Sequence, residues 1–216
     1  MSALTTAHST KTVAAFDFDG TLTRRDTLMP FLAGGLGWPR FAAALLACAP
    51  SLAGYALRLV PNDVAKARLL RHTLAGRSIA EIERWAARLL AGLPAQLRDW
   101  TLERLDLHRS AGHCCVLVSA SPDIYLASVA RQLGFDALIC TEMEVSGGVL
   151  TGEMRTPNCH GEQKVIRLRQ WLDERYGAEA TGIELHAYGD TSGDKPMLAM
   201  AGRGNAWYRG RRWNAG

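Results

Sequence analysis

The stretch Val13-Ala-Ala-Phe-Asp-Phe-Asp-Gly-Thr21 decides the fold of this chain of 216 residues. Its apolar residues predict a short buried strand, and the Asp-Gly-Thr sequence predicts a tight loop where that strand ends. Because side chains alternate along a strand, we expect Asp17 and Asp19 to point the same way, at the carboxyl edge of a sheet. Two carboxylates this close favour a bound divalent cation or a proton-transfer role. Gly20 and Thr21 would let backbone N–H groups approach an anion.

A second acidic loop, Gly189-Asp190-Thr-Ser-Gly-Asp194, follows another apolar strand candidate at residues 184–188. Asp-Gly turns are common in proteins, so each loop alone is a weak signal and the pair is the informative feature. Mg²⁺ prefers about six oxygen ligands, so a carboxylate from each strand end, together with phosphate and water, would complete its coordination. The two loops therefore predict one site at a shared sheet edge.

Strand candidates alternate with helical stretches through the second half of the chain. Cys114-Cys-Val-Leu-Val118 leads into Ser119-Ala-Ser-Pro122, where Ser121 is expected to cap a helix that begins at Pro122 and continues to Leu133. Such alternation predicts a mostly parallel sheet covered by helices on both faces. The other predicted elements are strands at residues 137–140 and 184–188, a helix at residues 162–176 and a hairpin turn at residues 145–150.

Residues 33–108 have Ala, Leu, Arg and Trp at helical spacing and no convincing strand, so we expect an inserted helical unit. Ser78-Ile-Ala-Glu81 is predicted to be a capping box that opens one helix, and Pro94 to start the next. The domain organisation expected from this pattern is a core of residues 1–32 and 109–216, with the helical unit, residues 33–108, inserted between them.

Residues 41–57 carry no charge, but they are at the lower limit of length for a bilayer span and contain Pro50 and Gly54. A packed helix, or a helical hairpin resting on a membrane surface, is favoured over a span. Basic residues lie on either side of this stretch, and such a cluster attracts anionic partners such as phosphate esters or phospholipid head groups. These residues are Arg40, Arg58, Lys66, Arg68, Arg71 and Arg77.

The composition is that of a folded protein, since 48% of residues are hydrophobic and 21% are charged, which excludes disordered and collagen-like classes. Five cysteines without a CxxC pair predict neither a disulfide framework nor a zinc site. The first 12 residues lack the features of a secretory signal. We therefore expect a cytoplasmic location, with peripheral contact at the inner membrane face left open.

Four ordered motifs resemble those of phosphatases of the haloacid dehalogenase-like (HAD) superfamily. They are DFDGTLT at residues 17–23, the apolar run into Ser119, Lys164, and GDTSGD at residues 189–194. Their order and the helical insertion extend the resemblance over nearly the whole chain. The segments SASPDIYL, TGE and CHGEQK resemble subfamily IB, the branch containing phosphoserine phosphatase and bacterial phosphatidylglycerophosphatase C. This resemblance implies an α/β fold, with a Rossmann-like core, a parallel sheet and an inserted helical cap of the C1 type.

The resemblance also implies a role for each motif residue. Asp17 would be the nucleophile that forms an aspartyl-phosphate, and Asp19 would protonate the leaving group and then activate water. Asp194 would support the site by orienting Lys164 or a metal-bound water. Phosphate binding is implied for Gly20, Thr21, Ser119, Ala120 and Lys164, and Mg²⁺ coordination for Asp17, Asp190 and the carbonyl of Asp19.

Simpler interpretations of some residues stay open. Ser119 could only cap a helix, Lys164 could be a surface lysine, and Asp194 could be a turn residue. His113 and His160 have no partner at informative spacing and are expected at the surface.

The substrate class depends on departures from the phosphoserine phosphatase pattern. Those enzymes typically carry Ser at the position of Gly20, Glu at that of Asp26 and Asn at that of Gly193. Together with the apolar and basic helical unit, these departures favour an anionic phospholipid phosphate such as phosphatidylglycerophosphate, with phosphoserine or another small metabolite as the alternative. A phosphotransferase and a non-catalytic membrane-binding adaptor are alternatives of other classes. No nucleic-acid partner is expected, and the sequence leaves the oligomeric state open.

Overall fold

The computed structural model describes residues 11–202 and 204–213, and the first ten residues of the N-terminal segment fall outside this range. In the described part of the first half, one strand is followed by five α-helices: β1 (Thr12–Phe16), α1 (Leu28–Leu36), α2 (Trp38–Ala56), α3 (Asn62–Leu74), α4 (Ile79–Gly92) and α5 (Asp99–Ser110). The second half alternates strands and helices: β2 (Cys114–Pro122), α6 (Asp123–Leu133), β3 (Ala137–Thr141), β4 (Met143–Ser146), β5 (Val149–Met154), α7 (Glu162–Tyr176), β6 (Glu184–Gly189), α8 (Lys195–Met200), β7 (Ala206–Tyr208) and β8 (Arg211–Arg212).

The main sheet has the strand order β3-β2-β1-β6-β7-β8. In this sheet, neighbouring strands from β3 through β2, β1 and β6 to β7 pair in parallel, and β8 pairs antiparallel with β7. The predicted mostly parallel sheet is therefore confirmed. Strand β1 lies between β2 and β6, and all of its residues after Thr12 are buried, as expected for a central strand.

Successive side chains of β1 point to opposite faces of the sheet. Because these side chains are apolar on both faces, each face is covered by helices. Ala14 and Phe16 pack in one core cluster with residues of α5 and α6, whereas Val13 and Ala15 pack in a second cluster with residues of α7 and α8. The result is a three-layer α/β arrangement. Ligands of such sheets bind outside the carboxyl ends of the strands.

The helices between β1 and β2, from Leu28 to Ser110, form what we call the helical segment. Phe41, Ala44 and Cys48 give α2 a buried face, and Pro50 lies inside this helix. No helix within the described residues has the length and apolarity needed to cross a membrane. Residues 41–57 thus contribute a helix that is packed along one side, one of the two alternatives favoured from the sequence.

Three local predictions meet different outcomes. Ser78 is the N-cap of α4 and its Oγ accepts from the N–H of Glu81 at 3.2 Å, but the Glu81 carboxylate pairs with Arg77, so only half of the capping box forms. The prediction that Pro94 starts the next helix is wrong, because Pro94 lies in a 3₁₀ turn and α5 begins at Asp99. The hairpin turn is confirmed: β4 and β5 pair antiparallel around Gly147 and Gly148, both with positive φ.

Candidate active site

Two neighbouring strands end at the same level and deliver the two acidic loops to one edge of the sheet. In the parallel pair β1 and β6, Phe16 lies opposite Tyr188, and the N–H of Asp17 donates to the carbonyl of Tyr188 at 2.9 Å. Asp17 directly follows β1, and Asp190 directly follows β6. The sheet edge expected from the sequence is therefore where both carboxylates lie.

Lys164 connects the first acidic loop to the second. It lies in the first turn of α7, is buried, and its Nζ donates to Asp17 Oδ1 at 2.6 Å and to Asp194 Oδ1 at 2.7 Å. A third hydrogen bond, at 2.9 Å, goes to the carbonyl of Val118 within β2. The alternative of a surface lysine is thus excluded. Burial alone would lower the pKa of Lys164, but the two carboxylates outweigh it and raise that pKa.

Asp194 is held from both of its carboxylate oxygens. While Oδ1 accepts from Lys164, Oδ2 accepts from the N–H groups of Asp190 and Thr191 at 3.1 and 2.9 Å and from Thr191 Oγ1 at 2.7 Å. Burial would raise the pKa of Asp194, but Lys164 and the Thr191 hydrogen bonds lower it overall. An ionised Asp194 that bridges Lys164 and the Asp190 loop fits the supporting role that the resemblance implies.

The residues present fit a hard divalent cation. Ligand oxygens of Asp17, Asp190 and Asp194 lie within 4.8 Å of one another. Asp17 and Asp190 each use only Oδ1 in hydrogen bonds, to Lys164 and Thr21, and no donor among residues 11–202 and 204–213 reaches either Oδ2. Carboxylate oxygens are the donors that Mg²⁺ prefers. The carbonyl of Asp19 is the third ligand implied by the resemblance.

The pKa of Asp17 shows the electrostatic cost of this arrangement. Burial raises it to about 7, the charges of Asp194 and Asp19 add to the rise, and Lys164 opposes it. Burial also raises the pKa of Asp190. A cation shared by the two groups would offset this cost and favour their ionised forms.

Asp19 occupies a separate environment from Asp17. Although β1 ends at Phe16, the backbone stays extended at Asp17 and at Asp19 (φ −72°, ψ 118°), and the chain turns at Gly20, where φ is +84°. Its Oδ1 accepts from the N–H and the Oγ1 of Thr27, both at 2.7 Å, and its Oδ2 accepts from Ser121 Oγ. Burial and the charge of Asp26 raise the pKa of Asp19 to about 6, which suits a group that must both give and take a proton.

Of the residues predicted to bind phosphate, Gly20 and Thr21 lie against Asp190, and Ser119 follows the Val118 carbonyl that Lys164 contacts. Ser119 is buried within β2, and its Oγ accepts from the N–H of Ser121 at 3.1 Å. Thr21 is buried and donates its hydroxyl to Asp190 Oδ1 at 3.2 Å. Gly20 approaches Asp190 so closely that a Cβ there would lie 2.3 Å from Oδ2.

Several residues of this region were missed or misassigned from the sequence. Ser121 does not cap α6, since the N-cap position falls on Pro122 and the Ser121 hydroxyl bonds Asp19. Thr27, which bonds Asp19, was missed, because a threonine just before a helix predicts only an N-cap. His160 is exposed, as expected from the sequence, and its ring lies against Gly193, where an added Cβ would lie 2.2 Å from Nε2.

Lys66 of α3 was assigned from the sequence to a basic surface, yet it reaches into the site. Its Nζ donates to the carbonyl of Ala120 at 2.5 Å and to Asn158 Oδ1 at 2.7 Å. Ala120 was expected to bind phosphate, and in the structure its carbonyl is the acceptor of this bond and of one from Thr141 Oγ1. No spacing rule links residues 66 and 120, so only the fold brings them together.

Comparisons with known proteins agree with this geometry. The family model for haloacid dehalogenase-like hydrolases matches residues 14–199. Protein CicA of Caulobacter vibrioides is 38% identical over 202 residues, which cover 92% of this chain and 87% of that protein. Phosphoserine phosphatase SerB1 of Mycobacterium tuberculosis is 33% identical over 145 residues, which cover 65% of this chain and 46% of that protein.

Among solved structures, a protein of unknown function from Bordetella pertussis Tohama I aligns with a TM-score of 0.76 and 26% identity, over 89% of this chain and 87% of that one. The family model spans every motif at the sheet edge, from Asp17 to Asp194. The resemblance found in the sequence is thereby confirmed, and the chain belongs to the haloacid dehalogenase-like hydrolase family.

Proposed function

We propose that the chain is a Mg²⁺-dependent phosphomonoester hydrolase that acts through an aspartyl-phosphate on Asp17. The observation that carries the proposal is the division of labour between two buried carboxylates: Asp17 is bound by Lys164 beside Asp190, whereas Asp19 is bound by Ser121 and Thr27. A nucleophile and a separate acid–base group are what two-step phosphoryl transfer requires.

In the first step, a carboxylate oxygen of Asp17 attacks phosphorus and the bond to the leaving oxygen breaks. The leaving oxygen takes the proton of the Asp19 carboxyl, so an alcohol departs and the phosphoryl group stays on Asp17. In this proposal Lys164 and the Ser119 hydroxyl bind the phosphoryl oxygens, and Lys164 contributes a fixed positive charge as negative charge develops on them.

In the second step, Asp19, now ionised, takes a proton from water as that water attacks phosphorus. The bond to Asp17 breaks, inorganic phosphate forms, and Asp19 is protonated again for the next cycle. With a pKa of about 6, both protonation states of Asp19 are accessible near neutral pH, and the ionised form is in excess. Asp17 and Asp190 would hold Mg²⁺, with the Asp19 carbonyl, and the ion supplies positive charge to the phosphoryl oxygens.

For the substrate, we propose an anionic phospholipid phosphate such as phosphatidylglycerophosphate, captured beneath a cap formed by residues 33–108. Support comes from large apolar side chains left in solvent at α2 and the loop after it: Trp38, Leu46, Leu57 and Leu59 are each at least 70% exposed. Exposed apolar groups beside positive charge are typical of membrane-surface contacts.

The charges of this surface differ from those expected from the sequence. Arg71 pairs with Glu153 at 2.5 Å, so its charge already has a partner, whereas Arg68 is exposed and bonds the neutral Ser51 hydroxyl, which leaves its charge unpaired within the described residues. Arg40 and Arg58 are exposed and enter no salt bridge within the described residues. Between Asp26 and Asp63 the sequence contains no acidic residue. Arg40 and Arg58, which directly flank residues 41–57, are therefore the residues that we propose to face an anionic membrane.

Vesicle co-sedimentation tests the membrane proposal. Each basic side chain near an anionic bilayer contributes about 1 kcal/mol, so Arg40→Gln with Arg58→Gln should weaken binding to phosphatidylglycerol vesicles about thirtyfold. The exposed pair Arg84→Gln with Arg88→Gln on α4 is the matched control and should bind like the unmodified protein. Indifference of the unmodified protein to anionic vesicles at low salt would favour a small-metabolite phosphatase instead, for which the relative named phosphoserine phosphatase is the supporting observation.

The reaction itself is tested with a panel of phosphomonoesters that includes phosphoserine, phosphatidylglycerophosphate and an aryl phosphate. We expect phosphate release that requires Mg²⁺ and disappears with a chelator. Transfer of phosphate to an added alcohol, in preference to water, would identify a phosphotransferase. Binding to vesicles without turnover of any phosphomonoester would favour the adaptor alternative.

A further inference from the structure

Two lysines of this site are held in different ways, and the contrast points to a missing partner for one of them. Lys164 lies between two carboxylates at 2.6 and 2.7 Å. Lys66 is mostly buried too, but both of its acceptors are neutral: the Ala120 carbonyl and the Asn158 amide oxygen. No salt bridge within residues 11–202 and 204–213 includes Lys66.

Burial of a cation without an opposite charge is costly. For Lys66 the cost is visible in its pKa, which burial lowers to about 8 while the more distant charge of Asp19 opposes the change. The side chain is nevertheless fixed by a network, because Asn158 also bonds Asn62 of α3 and Thr141 of β3. A cation that is held in place but not neutralised is suited to an anion that arrives with the substrate.

The position of Lys66 decides which part of the substrate it meets. The carbonyl that Lys66 contacts belongs to Ala120, and the next residue, Ser121, donates its hydroxyl to Asp19. Asp19 is also the carboxylate whose charge acts most strongly on Lys66. Lys66 therefore lies beside the proton donor, where the leaving oxygen departs. It belongs to α3, so it contacts the core from the helical segment.

We propose that Lys66 binds an anionic substituent, a carboxylate or a phosphodiester, on the leaving-group part of the substrate. This proposal rests on the phosphomonoesterase function proposed above and restricts its substrates to esters of anionic alcohols.

The test compares substrates that differ in one anionic group. Phosphoserine and phosphoethanolamine differ by a carboxylate, and the deacylated head group of phosphatidylglycerophosphate differs from glycerol 3-phosphate by a phosphodiester. Lys66→Gln removes the charge but keeps a donor for Ala120, and the exposed Arg84→Gln of α4 is the control with the same change in net charge.

Lys66→Gln should lower the kcat/KM ratio of the ester that carries the additional anionic group over its partner that lacks it, about ten- to a hundredfold in one of the two pairs, since a hydrogen bond to a charged group is lost. The pair that responds identifies the anion. Lys66→Arg should restore part of the ratio, and Arg84→Gln should leave it unchanged. Equal losses on both members of each pair would place Lys66 at the transferred phosphoryl group or in the fold, and an unchanged ratio in both pairs would also overturn the proposal.

A binding measurement keeps the two proposals distinguishable. In the Asp17→Asn background, calorimetry should show the same ten- to hundredfold loss of affinity for the anionic ester when Lys66→Gln is added. Failure of turnover by the unmodified protein, with this binding difference intact, would reject the hydrolase function alone. Equal affinities with and without Lys66→Gln would reject the role of Lys66.

Discussion

Replacement of Lys164 by Met would remove the only positive charge that contacts Asp17 and Asp194 within the described part of the chain. The three side chains are 2%, 8% and 2% exposed, so water cannot take over the role of the lysine. Removal of one partner of a buried ion pair costs about 3–5 kcal/mol. For a chain of this length, 1 kcal/mol corresponds to roughly 2–4 °C in Tm, so Lys164→Met should lower Tm by roughly 6–20 °C.

Lys11→Met is a matched control on the surface. The Nζ of Lys11 lies 2.5 Å from Glu179 Oε2, but these two side chains are 55% and 65% exposed. Exposed pairs contribute about 0–1 kcal/mol, so this variant should lose at most a few degrees. Both variants are to be measured by thermal and urea unfolding with a chelator present, so that added metal cannot replace the lost charge.

The pH dependence of the loss provides a further check. Without Lys164, the folded-state pKa of Asp17 should rise further above its unfolded value, and that of Asp194, which Lys164 now holds below its unfolded value, should rise as well. The folded protein then binds more protons than the unfolded chain, so its stability should fall as pH increases. The deficit of Lys164→Met should therefore be larger at pH 8 than at pH 5. A deficit equal to that of Lys11→Met at both pH values would refute the assignment of Lys164 as the buried counter-charge.

The other substitutions address chemistry, metal binding and pH. Asp17→Asn should abolish turnover with the fold intact, because the amide is a poor nucleophile of the same shape, and retention of more than about a hundredth of the rate would contradict its role. Asp190→Asn should weaken Mg²⁺ binding in calorimetry far more than Asp19→Asn, because only the first loses a side-chain ligand, and equal losses would refute this geometry. Burial and the imidazole of His186 lower the pKa of His108 to about 4. As pH falls from 6.5 towards 4, this histidine takes up a proton in the unfolded chain but not in the folded protein, so the free energy of unfolding decreases. Between pH 7.5 and 5 this decrease amounts to at most about 2 kcal/mol, and His108→Gln should show a correspondingly weaker dependence in urea unfolding.

The sequence predicts the part of the site that depends on strand ends. Asp17 and Asp190 each follow a buried apolar run, and parallel strands bring such ends together. The proximity of these two residues can therefore be predicted without knowing any side-chain contact. The layers of the fold follow for the same reason, because β1 buries both faces and helical stretches separate the later strands. Local periodicity is enough for these features.

Contacts between distant segments could not be predicted in this way. Ser121 carries the signal of a helix cap, yet its hydroxyl binds Asp19, 102 positions earlier in the chain. Lys66 looked like one of several surface cations until the packing of α3 placed it on Ala120. His160 was expected at the surface, and only the fold shows its ring in the space that a side chain at position 193 would need. Each of these depends on the docking of the helical segment or of a loop, which no spacing along the chain encodes.

Chemical trapping of the phosphorylated enzyme tests the role of Asp17 most directly. Asp19→Asn should accumulate the aspartyl-phosphate, because the group that activates water is lost while Asp17 remains. Quenching during turnover of an activated aryl phosphate, followed by borohydride reduction, converts an aspartyl-phosphate to homoserine. Mass spectrometry of the digest should then find homoserine at position 17 in this variant and none when Asp17→Asn is added. An unmodified Asp17 during sustained phosphate release, or homoserine at another aspartate, would contradict the proposed mechanism.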